Sequence, residues 1–160
     1  MTTQTESRML TALRSMKALE GMETSHLKKL AALAAPLKFT KDQIIYHAGV
    51  LGDAIYFIED GEVVIEINLP ESDSPVTMYT VGPGHLFGWS ALFPPRRKQS
   101  RSRAVVPTHV IAISATGLRK AFQFDQDLEN DIIHRVNEVI AERLTATRHQ
   151  LAHAFQREVQ

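Results

Sequence analysis

The chain contains no cysteine among its 160 residues, which excludes disulfide scaffolds, thiolate metal sites and cysteine nucleophiles. It also has no excess of either charge, because 18 Lys and Arg residues balance 18 Asp and Glu residues. Such a balance gives no general attraction to nucleic acid or to an anionic membrane. No apolar run approaches the roughly 20 residues of a membrane span, and residues 1–7 lack a secretory signal pattern. We therefore expect a cytoplasmic protein without membrane association.

Signatures of catalysis and of metal binding are also missing. The sequence has no Gly-x-Ser-x-Gly, Walker or dinucleotide-binding motif, and it offers no set of nucleophile, base and orienting residue. His149 and His153 are one helical turn apart, but no carboxylate accompanies them at the spacing of metal ligands. We expect a binding protein that is not an enzyme and that carries no metal or resident cofactor.

The hydrophobic fraction of 44% is that of a globular domain, and its pattern changes along the chain. Apolar residues recur at helical spacing over 9–19 and 27–34 and at a spacing of two from Leu37 onward. The segment 54–68 predicts a β-hairpin, because Asp60-Gly61 at its centre is typical of a tight turn. Further strands are expected over 76–81 and 105–114, and short strands at this spacing indicate a sandwich or roll.

The last part of the chain is predicted to form one helix from Leu128 to about Phe155, with two apolar stripes. The first stripe is expected to pack against the strands and contains Ile132, Val136 and Val139. The second follows the steps of a heptad, which predicts a homodimer; the alternative is a helix folded back on its own domain. The residues predicted to form the dimer interface are Ile133, Ile140, Leu144 and Leu151.

One segment carries a specific resemblance. Phe87-Gly-Trp-Ser-Ala-Leu92 precedes a loop and a basic segment that ends at Arg103-Ala104. It resembles the phosphate-binding cassette of the cyclic-nucleotide-binding domain family, which includes the catabolite activator proteins and the regulatory subunits of cyclic-AMP-dependent kinase. The segments 53–61 and 83–88 resemble the central hairpin of that family and the turn that leads into its cassette.

The resemblance extends over about residues 19–151. It implies an α+β fold: a β-roll (double-stranded β-helix or jelly roll) with N-terminal helices and a long C-terminal helix. We accordingly divide the chain into an N-terminal helical extension (1–20), the roll (21–126) and a C-terminal signalling or dimerisation helix (127–156). DNA binding through a helix-turn-helix domain is not expected, because the sequence after the long helix is too short to hold one.

The resemblance also implies a ligand site for a cyclic nucleotide. Backbone N–H groups after Gly88 would face the phosphate, and an arginine would bind its oxygens in a bidentate manner. The family spacing places Lys98 at that arginine position, and a shift of one residue places Arg97 there. A glutamate of the family that binds the ribose hydroxyl is replaced by Trp89, which cannot accept a hydrogen bond. By the similarity of segment 141–148, Thr147 would meet the base.

The predicted ligand-binding residues are therefore Phe87, Gly88, Trp89, Ser90, Ala91, Leu92, Arg97, Lys98, Gln99, Ser100 and Thr147. Trp89 either stacks on a ligand or fills an abandoned pocket. The basic run from Arg96 to Arg103 either contacts an anion or is a solvated loop. Two functions follow from these alternatives: a stand-alone sensor of a small phosphate-bearing ligand that signals through its C-terminal helix, or an assembly module with a degenerate pocket that docks a protein partner.

Overall fold

A computed structural model describes residues 4–159 of the chain. Its helical segments are α1 (Gln4–Arg14), a 3-10 turn (Lys17–Leu19), α2 (Thr24–Ala32), a second 3-10 turn (Trp89–Leu92), α3 (Ala115–Phe124) and α4 (Gln126–Val159). Residues 1–3 of the predicted N-terminal extension lie outside the described residues.

Eight strands form two antiparallel sheets of four strands each within the described range. The first sheet has the order β1-β8-β3-β6 and the second the order β2-β7-β4-β5. The strands are β1 (Ala34–Phe39), β2 (Ile44–Tyr46), β3 (Ala54–Asp60), β4 (Val63–Ile67), β5 (Val76–Val81), β6 (Leu86–Phe87), β7 (Arg101–Ala104) and β8 (Thr108–Ser114). The predicted jelly roll with N-terminal helices and a long C-terminal helix is confirmed.

The first sheet is covered on both faces. Ile55 and Phe57 of β3 belong to the core cluster that holds the apolar residues of α1, α2 and the start of α4. Tyr56 and Ile58, which point to the opposite face, belong to a second cluster shared with β4 and β5 of the second sheet. The continuous run of buried residues in β3 therefore reflects packing on both sides.

The second sheet is apolar on its inner face and charged on its outer face. Ile65 belongs to the inner cluster, whereas the neighbouring Glu66 accepts a hydrogen bond from Nε of Arg103 at 2.9 Å. Arg103 also donates to Asp42 at 2.8 Å. Glu66 is only 2% exposed, so Arg103 satisfies a carboxylate that packing has removed from water.

The predicted β-hairpin at 54–68 is wrong, although both of its strands exist. β3 pairs with β6 and β8, whereas β4 pairs with β5 and β7, so the chain changes sheets at Gly61. Gly61 has a φ of +102°, and a Cβ at this position would lie 2.4 Å from Oγ1 of Thr108. The left-handed glycine thus makes a close-packed corner of the roll instead of a two-residue hairpin turn.

Two boundaries also differ from the predicted ones. The first strand begins at Ala34, not Leu37, and runs through Pro36. A proline is tolerated there because β1 is an edge strand of its sheet. The predicted strand at 105–114 begins only at Thr108, directly after Pro107.

The long helix α4 begins two residues before the predicted start and continues to Val159. Ile132 and Val136 are buried in the core, and Val139 packs against it, as the first stripe predicts. The second stripe divides into two parts. Ile133 and Ile140 are partly buried against the same core, whereas its later leucines are exposed, Leu144 by 49% and Leu151 by 57%.

Candidate functional site

A cavity of about 430 Å³ lies between the inner face of the second sheet, the turn after β6 and α4. Small-molecule sites usually enclose about 300–1,000 Å³, so the cavity is large enough for a ligand. Its lining consists of Tyr46, Ile65, Ile67, Met78, Tyr79, Gly88, Trp89, Ser90, Phe93, Pro94, Pro95, Arg97, Gln99, Ser100 and Ile140.

Gly88 fixes how the chain enters the cavity wall. It follows β6 directly and has a φ of +83°. A Cβ there would lie 3.0 Å from the ring of Tyr56 and 3.1 Å from Nζ of Lys98. The position therefore favours glycine for its backbone conformation, and its close packing adds to that preference. The turn directs Trp89 and Ser90 toward the cavity.

An aromatic wall joins three elements of the fold at the cavity. The Trp89 ring, after Gly88, and the Tyr79 ring, on β5, have centroids 6.2 Å apart and are inclined by only 8°. The guanidinium of Arg143, on α4, lies 4.3 Å from the centroid of the Tyr79 ring, which is a cation–π distance. Burial raises the pKa of Tyr79 to about 12, although Arg143 lowers it. Tyr79 is therefore a neutral ring at physiological pH and connects the cavity wall to the long helix.

Arg97 is the one charged side chain among the lining residues that the structure describes. Its Nη1 donates to the backbone carbonyl of Gly49 at 3.0 Å, which leaves other guanidinium donors for a ligand. Arg97 is exposed, so its charge is accessible from solvent. The cavity thus combines mainly apolar walls with one cation.

Lys98, the next residue, is not itself a lining residue but contacts two residues that are. It is 3% exposed, and its Nζ donates to the carbonyl of Gly88 at 2.7 Å. Nζ also lies 4.4 Å from the centroid of the Tyr46 ring. Burial lowers the pKa of Lys98 to about 8, against the opposing attraction of Asp53. Lys98 supports the turn at Gly88 from behind.

The other arginines of the basic run also turn elsewhere. Arg103 binds Glu66 and Asp42, and Arg101 lies 3.5 Å from Glu66. Arg96 has a left-handed φ of 62° and does not line the cavity. The run is thus neither a cluster around one anion nor a simple solvated loop, because Arg101 and Arg103 serve the outer face of the second sheet, whereas Arg97 lines the cavity.

The predicted site residues are therefore divided by the fold. Those that line the cavity are Gly88, Trp89, Ser90, Arg97, Gln99 and Ser100. Those buried in the two core clusters are Phe87, Ala91 and Leu92. Thr147 is exposed on α4 and does not line the cavity of this chain.

Sequence reasoning missed the apolar walls. Ile65 and Ile67 alternate along β4 with the outward-facing Glu66, and that period of two marks them as inner residues. No comparable signal distinguishes Tyr79 on β5, whose role depends on which strand lies opposite Trp89. Ile140 shows that α4 itself closes part of the cavity.

Within residues 4–159, no three His, Asp or Glu side chains are grouped so that they would hold a metal ion. Over the same range, no helix combines the length and the apolar character needed to cross a membrane.

The family model for the cyclic nucleotide-binding domain matches residues 36–125, more than half of the sequence. The chain belongs to the cyclic nucleotide-binding domain family. The match covers the first strand through α3 and so includes most of the residues around the cavity. Members of this family are regulatory ligand-binding domains.

Solved structures resemble the domain over most of its length. A candidate cyclic nucleotide-binding protein of Geobacter metallireducens GS-15 is 25% identical, with a TM-score of 0.73 over 84% of this chain and 96% of that one. A cyclic nucleotide-binding domain from Methylobacillus flagellatus KT is 18% identical, with a TM-score of 0.77 over 92% and 82%. The regulatory domain of Toxoplasma gondii PKA, solved with cAMP, is 22% identical, with a TM-score of 0.68 over 84% and 51%.

Proposed function

We propose that this cyclic nucleotide-binding domain is a regulatory sensor that binds a small phosphate-bearing ligand in the 430 Å³ cavity and signals through α4. The observation that carries the proposal is that three parts of the fold, including α4, each contribute residues to the lining of the cavity. Arg97 supplies a cation, the turn after Gly88 supplies Trp89, and α4 supplies Ile140. A ligand that enters this space contacts the signalling helix directly.

The aromatic wall also supports the proposal, because its contacts connect the cavity to the later part of α4. Tyr79 contacts Trp89 on the cavity side and Arg143 on α4. Gln150, further along α4, donates to the carbonyl of Met78 at 3.4 Å. Displacement of the Trp89 or Tyr79 ring by a ligand is therefore expected to alter how α4 packs on β5.

We propose that α4 carries this change to a second copy of the chain. Leu144, Leu151 and Phe155 are exposed by 49%, 57% and 60%. These residues follow the packed part of the same helix at heptad-like spacing, as two-stranded association requires. A homodimer would bury them, and Thr147 would then lie at the interface.

The dimer is tested by Leu144→Glu, with Phe124→Glu as the matched control. Phe124 is 89% exposed but ends α3, away from the stripe on α4. Light scattering at tens of micromolar is expected to give a dimer for the wild type and Phe124→Glu and a folded monomer for Leu144→Glu. A wild-type monomer would contradict this part of the proposal.

Ligand binding is tested by calorimetry with cyclic AMP, cyclic GMP and cyclic dinucleotides. A charge-assisted contact in a partly enclosed site is worth roughly 1.5–3 kcal/mol, so Arg97→Gln should weaken binding by about tenfold or more. Arg96→Gln removes the same charge from the adjacent position outside the cavity and should change affinity by less than about threefold. Absence of binding by all these nucleotides at millimolar concentration would contradict the sensor for those ligands.

A second candidate function is an assembly module without a nucleotide ligand. It is favoured by the direction of Lys98, which occupies the family arginine position but is held by Gly88 behind the cavity. In that case the dimer forms as above, and calorimetry detects no nucleotide. The two measurements together separate the candidates.

A further inference from the structure

A second hollow, of about 270 Å³, opens on the outer face of the second sheet, at the ends of β4 and β7. Glu66 of β4 and Arg101 of β7 line it and are register partners. Both point away from the cavity described above, because Glu66 alternates along β4 with the inward-facing Ile65 and Ile67. The outer hollow is smaller than the roughly 300–1,000 Å³ of sites for drug-sized molecules, so a ligand there has to be a small metabolite.

The carboxylate of Glu66 forms the buried wall of the outer hollow. Its side chain is only 3% exposed, and its Oε1 accepts a hydrogen bond from Nε of Arg103 at 2.9 Å. Among residues 4–159, no group donates a hydrogen bond to Oε2 of Glu66. A carboxylate can accept about four hydrogen bonds. Glu66 therefore retains acceptor capacity for a cationic group in the outer hollow.

The guanidinium of Arg101 lies beside this carboxylate with its own donors unused. Its Nε is 3.5 Å from Oε1 of Glu66, and this buried atom has no hydrogen-bond partner within the described range. No described residue accepts a hydrogen bond from its Nη atoms either. Packing and charge attraction, without a hydrogen bond, hold Arg101 in this place. Its Nη donors are therefore left for an anionic group of a ligand.

The charges around the outer hollow favour a ligand that carries both signs. Arg101 and Arg103 face Glu66 and Asp42, so two positive groups already balance two negative ones. A ligand with a net charge would upset this balance and leave a partly buried charge unpaired, whereas a zwitterion would not. Because the guanidinium of Arg101 and the carboxylate of Glu66 are neighbours, the two charges of the ligand have to be neighbours as well. An α-amino acid meets this condition, since its ammonium and carboxylate groups are bonded to one carbon.

We infer that the outer hollow is a second ligand site, which binds a free α-amino acid through its carboxylate on Arg101 and its ammonium group on Glu66. The amides of Asn68 and Gln99, which also line the outer hollow, supply donors and acceptors for a polar side chain of the ligand. The inference does not depend on the function proposed for the cavity, because an amino acid has no phosphate and the two sites use different arginines.

Calorimetry on the full chain tests this inference with glutamine, glycine, acetate and 6-aminohexanoate. Glutamine and glycine should bind saturably. Acetate lacks the ammonium group, and 6-aminohexanoate holds the same two charges far apart, so each should bind at least about tenfold more weakly than glutamine. These comparisons use the wild-type chain and so do not depend on the folding of a variant.

Variants then assign the binding to the outer hollow. Arg101→Gln should weaken glutamine by about tenfold or more, whereas Arg96→Gln, which removes the same charge outside the outer hollow, should change its affinity by less than about threefold. Ile67 and Gln99 border both the outer hollow and the cavity, so Arg97→Gln in the cavity is a second control and should also have less than about a threefold effect.

Three results would overturn the inference. The first is the absence of saturable binding of glutamine and glycine at tens of millimolar. The second is equal affinity for glutamine and 6-aminohexanoate, because the spacing of the two charges would then not be recognised. The third is a loss of glutamine binding in Arg97→Gln but not in Arg101→Gln, which would place the amino acid in the cavity. None of these results bears on whether a phosphate-bearing ligand binds in the cavity.

Discussion

The two sheets of the roll differ in how many of their faces are packed. The first sheet is covered by helices on one face and by the second sheet on the other, so Phe57 and Ile58 of its strand β3 are fully buried on opposite sides. The second sheet packs on one face only, and part of that face borders the cavity through Ile65 and Ile67. Packing on two faces resists substitution, whereas one open face leaves space for a ligand. We therefore expect stability to depend chiefly on the first sheet and ligand binding on the second.

The largest expected difference in stability is between Phe57→Ala, in the first sheet, and Ile67→Ala, in the second. Phe57 is 0% exposed in the first sheet, and loss of a buried phenyl ring costs roughly 3–5 kcal/mol. Ile67 borders existing space and is already partly exposed, so its truncation should cost less than about half of that. Urea unfolding measures both values. Equal losses would show that the two sheets do not differ as described.

Gly88 lies where the first sheet passes to the cavity, and Gly88→Ala should have an intermediate effect. Gly21→Ala is the matched control, because Gly21 has a φ of +80° but no atom within 4 Å of an added Cβ. Left-handed strain alone costs roughly 1–2 kcal/mol, and Gly88→Ala adds close contacts with Tyr56 and Lys98. Thermal or urea unfolding should therefore show a larger loss for Gly88→Ala than for Gly21→Ala. Equal losses would mean that space around Gly88 is not limiting.

The smallest expected effect is a pH dependence of the free energy of unfolding, which we assign to Lys98. Burial lowers its pKa from 10.5 to about 8, so between these values the unfolded chain binds more protons than the folded one. The free energy of unfolding should then rise with pH, by about 1 kcal/mol between roughly pH 7.5 and 9. Tyr56 does not titrate in this interval, because burial raises its pKa to about 12.

The control for this prediction is Lys98→Met, which keeps much of the buried side-chain length without a titrating group. Its unfolding free energy, measured in urea across the same pH interval, should lack the rise assigned to Lys98. A rise of the same size in wild type and Lys98→Met would assign the pH dependence to another group.

Sequence reasoning recovered the fold well and the site only in part. Periodicity and the cassette resemblance predicted the roll and the helix from Leu128, because those signals repeat locally. They misassigned Asp60-Gly61 to a hairpin, since the same residues serve a corner between sheets when Thr108 packs against the glycine. The division between Arg97 and Lys98 could not be predicted either, because only the packing decides which of the two adjacent side chains lines the cavity and which is buried.

The central claim, that the cavity is an anion-binding site governed by Arg97, has a direct optical test. Trp89 is the single tryptophan of the chain and lines the cavity, so its fluorescence reports on this site alone. Titration with phosphate-bearing ligands, cyclic AMP first, should change the Trp89 emission saturably in the wild type and in Arg96→Gln. The change should require about tenfold or more ligand in Arg97→Gln. An emission that stays constant in the wild type at millimolar ligand, or a response that Arg97→Gln leaves unchanged, would contradict the account.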